Sequence, residues 1–348
     1  MMMRRLMLSG LIVLNGWLSY AQDVHFTMFQ AAPTLMNPAF AGVFEGNFRA
    51  SLNYRSQWGL VSDPYRTYSF SADGGFFKKK DRKAYLGAGI NFFQDVAGLS
   101  KFGTTQANIS LSGILQLNAL NTLSVGIQGA FAQQSFSSAH LQWDAQYTPT
   151  GYNPALPSNE ILNQVKSQYF DFSAGALWVF GVPAQTMASR DNFLVKIGAS
   201  YSHFFQPTLR NAYLNSTSNH SKIALHADMH FSTSHAKISY KPRVNLFLQG
   251  PSFEANLGIL LRYLVQDGSK YTGNKKGFAV SVGAYSRLLD GISPSFELEW
   301  AGFTFGYAFD LNLSKFSLAT KGVGGSEFYL KFQNPNPFFR HATRSKYH

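Results

Sequence analysis

The chain has no cysteine among its 348 residues. That excludes a disulfide framework, a thiolate metal site and a cysteine nucleophile. Charge is scarce as well: Asp, Glu, Lys and Arg together make up 14%, against roughly a quarter in a soluble domain. Beyond residue 21 no apolar run reaches the roughly 20 residues that a membrane-crossing helix needs, so a helical membrane protein is excluded. No blade-length repeat occurs, which leaves a propeller without support. What the chain has instead is aromatic surface, 32 Phe and 17 Tyr within a total of 16%, together with 30 Gly. Something other than water must face much of it.

Residues 1–21 combine basic Arg4 and Arg5, an apolar stretch from Leu6 to Leu18, and small Ser19 and Ala21 before Gln22. This is the pattern of a cleavable signal peptide. Ser9, Gly10, Asn15 and Gly16 interrupt the apolar stretch and argue against an anchor helix. Export without disulfides suits an outer-membrane barrel, whose closed hydrogen-bond ladder supplies the rigidity. The formal charge is +12. In an exported chain this points to anionic outer-membrane lipid, an acidic partner or a merely solvated surface, and not to nucleic acid.

Period-two alternation is the dominant signal. From Phe303 the odd positions are Phe303, Phe305, Tyr307, Phe309, Leu311 and Leu313, whereas the even ones are Thr304, Gly306, Ala308, Asp310, Asn312 and Ser314. The split recurs from Phe253, with Ala255, Leu257, Ile259, Leu261 and Tyr263 against Glu254, Asn256, Gly258 and Arg262. It recurs again at Phe48, Ala50, Leu52 and Tyr54 against Arg49, Ser51, Asn53 and Arg55, and Glu297 and Glu299 oppose Phe296, Leu298 and Trp300. A soluble sandwich would match its apolar faces with a core of similar area. Here nearly every segment has an aromatic-rich face, with aromatics near the segment ends as interface girdles require.

The alternation predicts an all-β, transmembrane antiparallel barrel of about fourteen strands, near 48–58, 65–76, 84–94, 102–117, 121–136, 170–180, 193–205, 222–232, 236–249, 253–265, 276–288, 294–300, 303–314 and 326–332. An even number is the rule for bacterial single-chain barrels. Turn residues at Asn118 to Asn121, Gly250-Pro251-Ser252 and Ala301-Gly302 fall between the runs. The domain reading is a signal peptide at 1–21, a plug or periplasmic lead-in at 22–47, the barrel at 48–333 and a basic tail at 334–348. Pro38 denies the lead-in a regular ladder position, and Met36, Phe40 and Val43 need somewhere apolar to go. With both barrel ends in the periplasm, the longest connection, Ser137 to Tyr169, lies outside the cell.

A set of local motifs accompanies this pattern. Gln22-Asp23-Val24-His25-Phe26 and Pro33 precede Asn37-Pro38-Ala39-Phe40-Ala41-Gly42, then Tyr54-Arg55-Ser56-Gln57-Trp58. Further on come Gln94-Asp95-Val96-Ala97-Gly98, Leu123-Ser124-Val125-Gly126-Ile127-Gln128-Gly129 and Phe170-Asp171-Phe172-Ser173-Ala174-Gly175. Last are Gly306-Tyr307-Ala308-Phe309-Asp310, Asn312, Ser314 and Gly324-Gly325-Ser326-Glu327-Phe328. In order and spacing these resemble the PorP/SprF proteins of type IX secretion in Gram-negative Bacteroidota, and the likeness runs through nearly the whole mature chain. The resemblance implies an outer-membrane barrel that accompanies secreted surface proteins, such as gliding adhesins, across the membrane or holds them at the surface. It implies as partners a secreted cargo protein with its C-terminal signal domain and other type IX components. The positions it marks are Asn37, Pro38, Ala39, Gly42, Tyr54, Arg55, Gln57, Trp58 and Asp310, with structural or plug roles.

Individual residues support little chemistry. Trp58 reads as an interface anchor and Arg55 as an ion-pair partner in the lumen. His226, Asp228 and His230 share one strand face, but a metal site needs at least one more ligand with good geometry, and polar residues facing a barrel interior are ordinary. Gly87-Ala88-Gly89 has no second glycine pair or following helix, so it reads as strand glycine and not a phosphate loop. No nucleophile turn of the G-x-S-x-G kind occurs, so catalytic residues, metal and cofactor are all expected to be absent. Lumen-facing charges of both signs, Arg49, Asp73, Lys196, Glu254, Arg262, Arg287, Glu297, Glu299, Asp310, Glu327 and Lys331, point to cross-barrel pairing and a narrow interior; an ion-selective pore favours one sign. The leading reading is a non-enzymatic barrel that contacts cargo through its outer loops, with Trp143, Tyr147 and Tyr152 suited to adaptable contact. The rivals are a FadL-like channel for hydrophobic solutes and, more weakly, an outer-membrane lipid hydrolase.

Overall fold

A computed structural model of the chain describes residues 25–46, 48–61, 63–78, 83–137, 140–159, 166–182, 193–209, 217–232, 237–267, 276–314 and 317–334. The signal-peptide segment and nearly all of the basic tail lie outside these residues.

Alternating sequence becomes alternating exposure because successive side chains of a strand point to opposite sides of the sheet. The long strands are β1 (Phe48–Gln57), β2 (Tyr65–Phe76), β3 (Ala84–Ala97), β4 (Phe102–Gln116) and β5 (Asn121–Ser135). The connection that follows holds a two-residue hairpin, β6 (Tyr147–Thr148) with β7 (Gly151–Tyr152). Then come β8 (Lys166–Val182), β9 (Phe193–Ser202), a second small hairpin of β10 (Thr208–Leu209) and β11 (Thr217–Ser218), β12 (Lys222–Ser232) and β13 (Ile238–Gln249). The remaining strands are β14 (Ser252–Gln266), β15 (Phe278–Arg287), β16 (Gly291–Trp300), β17 (Phe303–Asn312) and β18 (Val323–Gln333).

Leaving the two hairpins aside, each strand pairs antiparallel with its neighbours in sequence, and the sheet closes where β18 meets β1. The result is a closed barrel of fourteen strands, as the alternation requires. Closure removes the free edges that hydrocarbon would leave unsatisfied. Prolines lie inside two strands, Pro242 in β13 and Pro294 in β16. The register with the next ladder skips at both places, from Asp228–Arg243 to Phe231–Tyr240 and from Ile292–Leu311 to Ser295–Ala308. A proline has no N–H to offer the ladder.

The distribution of side chains is that of a water-soluble domain turned inside out. Leu52, Ile90, Ile109, Ile127, Phe172, Ile259 and Phe305 face outward and are exposed, whereas Ser51, Asn53, Ser110, Ser124, Asn245, Ser281 and Glu297 face inward and are buried. No helix among the described residues is long and apolar enough to cross a membrane; a barrel with this outer belt crosses with its strands. Because the strand count is even, the start of β1 and the end of β18 share one end of the barrel. The described parts of the connections after β5 and after β9, residues 136–137, 140–159, 203–209 and 217–221, lie at the other.

Candidate functional site

The interior is built around residues 25–46. Three short turns shape this segment, Phe29–Ala31, Pro33–Met36 and Pro38–Phe40. Pro33 and Pro38 open the second and third, where a missing N–H costs nothing and the fixed φ is pre-set. The segment threads the length of the barrel, from Arg55 near the far end of β1 to Arg49 near its start.

At the far end Glu327 accepts from the backbone N–H of Thr27 and of Met28, at 2.7 and 2.9 Å. Thr27 Oγ1 donates to Asp310 Oδ1 at 3.0 Å, as Ser293 Oγ does at 2.7 Å. Arg55, buried, donates to the His25 carbonyl and at 2.8 Å to Asp310, and its Nε lies 3.8 Å from Glu327. At the near end Arg49 forms two 2.8 Å bonds to Asp73 and one to the Phe40 carbonyl, while Asp73 accepts from Gly42 N at 2.9 Å. Gly42 has φ 73°, a left-handed conformation that favours glycine and aims its N–H at that carboxylate.

Between these ends the segment crosses a row of small residues. Gly87 on β3, Ser112 on β4, Gly126 on β5, Gly175 on β8, Ser200 on β9 and Ala224 on β12 are successive register partners. The stretch from Met36 to Ala41 lies across them. Ser200 donates to the Met36 carbonyl, Ser124 to that of Ala39 and Ser112 to that of Ala41, at 2.7, 2.7 and 2.6 Å. A methyl at Gly126 would run into Pro38 and Ala39, and one at Gly175 into the Asn37 side chain. Asn37 Nδ2 donates to the carbonyls of Ala176 and Ala199 at 3.0 and 3.1 Å and lies 2.9 Å from His226 Nε2, while its Oδ1 accepts from Ala39 N.

Apolar residues that break the polar inner face fill the remaining space. Phe40 and Val43 pack with Ile114 and Leu177, and Met28 and Phe29 pack with Leu260, Tyr285 and Tyr329; Met36 touches both groups. A second knot of charges lies alongside. Glu297 takes Gln30 Nε2 at 3.1 Å and Arg243 at 3.3 Å, and Glu299 takes Lys241 at 2.6 Å and Arg262 at 2.7 Å. Arg243 also donates to Tyr285 Oη and lies 3.3 Å from Asp228.

The structure therefore brings Asn37, Pro38, Ala39, Gly42, Arg55 and Asp310 into one interior assembly. Tyr54 is on the outer face, its ring 5.0 Å from that of Tyr68; Gln57 ends β1; Trp58 follows it at φ 58°, donates N–H to Gly324 O and lies against Tyr65. His226 is turned to Asn37 and the Phe40 ring, and no group of metal-ligating side chains forms among the described residues. Sequence reading quoted Ser124 within a motif but gave it no role, and did not single out Ser112, Ser200 or the inward Ile114, Leu177 and Leu260. The available signal was glycine inside a strand, which marks close approach of another backbone: the Ala41 carbonyl lies over Gly87.

In the connection after β5, Tyr147 and Tyr152 are cross-strand partners with rings 5.5 Å apart, both exposed. Gln146 orders this loop, accepting from Trp143 N at 3.3 Å and donating to the Leu156 carbonyl at 3.0 Å. Trp143, half-buried, stands at the base of the hairpin.

His25 is the titratable side chain that the segment carries into the interior. Burial holds its imidazole down at about 4, against the pull of Glu254 at 3.4 Å, with Arg55, Arg287 and Lys222 adding to the depression. The docked segment thus resists a proton that a released segment takes up near 6.5. The contribution of His25 to docking is fully present above pH 6.5 and is lost as pH falls from 6.5 toward 4. Proteolysis of residues 25–46 is expected to accelerate at pH 5 relative to pH 7.5, and His25→Asn to remove the difference.

No curated protein matches the sequence. Among solved structures, the Ralstonia pickettii toluene transporter TbuX superposes with a TM-score of 0.45 at 12% identity, over 89% of this chain and 95% of that one. The CymD monoaromatic hydrocarbon channel gives 0.42 at 11%, over 90% and 96%. The translocator domain of the Neisseria meningitidis autotransporter NalP gives 0.40 at 10%, over 88% and 93%. The model of the type IX secretion system membrane protein PorP/SprF family matches residues 18–332, and with the closed barrel and its lipid-facing belt this places the chain in that family as an outer-membrane barrel.

Proposed function

We propose that this protein is a non-catalytic outer-membrane barrel, plugged by its own N-terminal segment, that supports type IX secretion or surface attachment of a cargo protein such as a gliding adhesin. The observation that carries the reading is the filled interior. Residues 25–46 and paired charges of both signs occupy the space a diffusing solute would need. A passage for hydrophobic solutes requires a continuous apolar lining, whereas the inner wall here is mainly Ser, Asn, Arg and carboxylate, and its few apolar residues are covered by the segment. With the interior closed, the surface left for a partner is that of the connections at the far end. Tyr147 and Tyr152 offer it rigid, exposed aromatic area of the kind enriched at interfaces. In this reading the C-terminal signal domain of the cargo is what they meet.

The test is purification of a tagged copy from native outer membrane in mild detergent, with mass spectrometry of what stays bound. One large secreted surface protein in stoichiometric amount is the expected result. The paired change Tyr147→Ala and Tyr152→Ala is expected to lower its recovery at least tenfold, the equivalent of about 1.4 kcal/mol, with the barrel level unchanged. Recovery of the barrel alone with bound fatty acid would overturn the cargo reading in favour of a solute channel.

A further inference from the structure

The two ends of the interior grip the N-terminal segment in the same way. At each, an arginine donates to a backbone carbonyl, His25 or Phe40, and its partner carboxylate accepts a backbone N–H, from Thr27 and Met28 or from Gly42. Ser112, Ser124 and Ser200 likewise donate to main-chain carbonyls, and Gln128 does so to that of Thr34 at 3.3 Å. Groups that bind main chain do not read side chains; these are read by Asp310 at Thr27, Glu297 at Gln30, Asn91 at Thr34 and the apolar seats of Met28, Phe29, Phe40 and Val43. The densest set of such contacts is at Asn37. Asn37 is read by two carbonyls and His226, the main chain of Pro38 and Ala39 passes where a Cβ on Gly126 would strike it, and Ala39 is fully buried.

From this we infer that the barrel interior is a polypeptide-binding site, of which residues 25–46 are the resident and exchangeable occupant. Its ligand is a polypeptide that folds into short turns, with an Asn-Pro-Ala turn among them and, five residues after the Asn, a glycine that can adopt positive φ. The resident segment holds the site through its connection to β1, which presents it at a high effective concentration. A second polypeptide enters when it carries the same turn and the resident hold is weakened. This goes beyond loop-mediated cargo contact and does not depend on it, since the two surfaces share no residue.

The absence of cysteine makes the exchange measurable on the full chain. Thr34 Oγ1 lies 2.7 Å from Asn91 Oδ1, which is buried on β3. Asn91→Cys places a thiol that is covered while the resident segment is docked. The probe is a synthetic peptide of residues 25–46 carrying Thr34→Cys as its thiopyridyl disulfide. Attack by the thiolate introduced on β3 forms the peptide–barrel disulfide and expels one thiopyridone, which is read by absorbance. In a chain that also carries Asn37→Ala in its own segment, a saturable adduct of one peptide per barrel is expected, at least tenfold above Asn91→Cys alone. A peptide with Asn37→Ala is expected to give none, and Val125→Cys on the outer face is expected to show no saturation. A full chain with both Thr34→Cys and Asn91→Cys that closes its own disulfide on treatment with dithiodipyridine, which takes up the two electrons and leaves as two thiopyridones, establishes that the site is formed. With that established, equal or absent adduct in the two backgrounds would overturn the proposal, whatever the cargo experiment gives.

Discussion

A variant lacking residues 25–46 is expected to conduct ions across a planar lipid bilayer in which the intact protein is silent. Eight strands give a barrel that its own side chains fill, whereas sixteen to eighteen leave an aqueous channel. Fourteen lies between, and its inner wall here is largely Ser and Asn, too short to meet across the axis. The space is taken instead by Phe29, Met36, Phe40 and Val43 with the main chain that carries them. Removal of the segment also takes away main-chain partners of Glu327, Asp73, Arg49 and Arg55. Each then has water in place of protein, which a water-filled lumen supplies. Single-channel recording checks this, alongside the heat-dependent gel shift that reports a folded barrel. A deletion variant that folds and stays silent would mean that the cross-barrel ion pairs close the lumen by themselves.

The second large effect is expected from Arg55→Met. Arg55 lies 2.8 Å from Asp310 and 3.8 Å from Glu327, and all three are almost fully buried. Loss of one partner of a buried pair leaves charge that neither water nor protein compensates, at a cost of about 3–5 kcal/mol. Arg287, 3.8 Å from Asp310, offsets only part of it. Urea unfolding in lipid vesicles measures the loss. The triple variant Arg55→Met, Asp310→Asn, Glu327→Gln is expected to recover most of it, since it removes the stranded charges and keeps the shapes. A single variant as stable as the parent would show that the carboxylates do not depend on this guanidinium.

Much of the barrel was legible because its physics is local. A strand between lipid and a polar interior must alternate, so Phe303–Asn312 or Phe253–Tyr263 can be read without knowing any neighbour. Where a strand leaves the lipid the signal fades. β8 starts at Lys166 and not near 170, because its outer face there is polar, with Gln168 bonded to Gln133 of β5 at 3.0 Å. β16 starts at Gly291, ahead of a proline that cannot donate to a ladder, and β18 at Val323, where two glycines carry no alternation to read. Inward charges followed from the same alternation, but their pairing did not. That Arg49 meets Asp73 depends on the β1–β2 register, and that Gly87, Ser112, Gly126 and Gly175 form one row depends on three more. Such relations exist only once the sheet is assembled, so Asn37 could be marked as notable while its neighbours stayed out of reach.

The seam of the barrel carries a consequence for its assembly. Arg55 on β1 and Glu327 on β18 face each other in the closing register, and they are the same side chains that hold His25, Thr27 and Met28. Without β18 in place the leading segment has no acceptor for two of its N–H groups, and Arg55 keeps only Asp310. Closing the seam and seating the segment therefore stabilise each other. A barrel that closes on an empty middle completes its ladder but forgoes these bonds, so the last rungs are strengthened from inside by the chain they enclose.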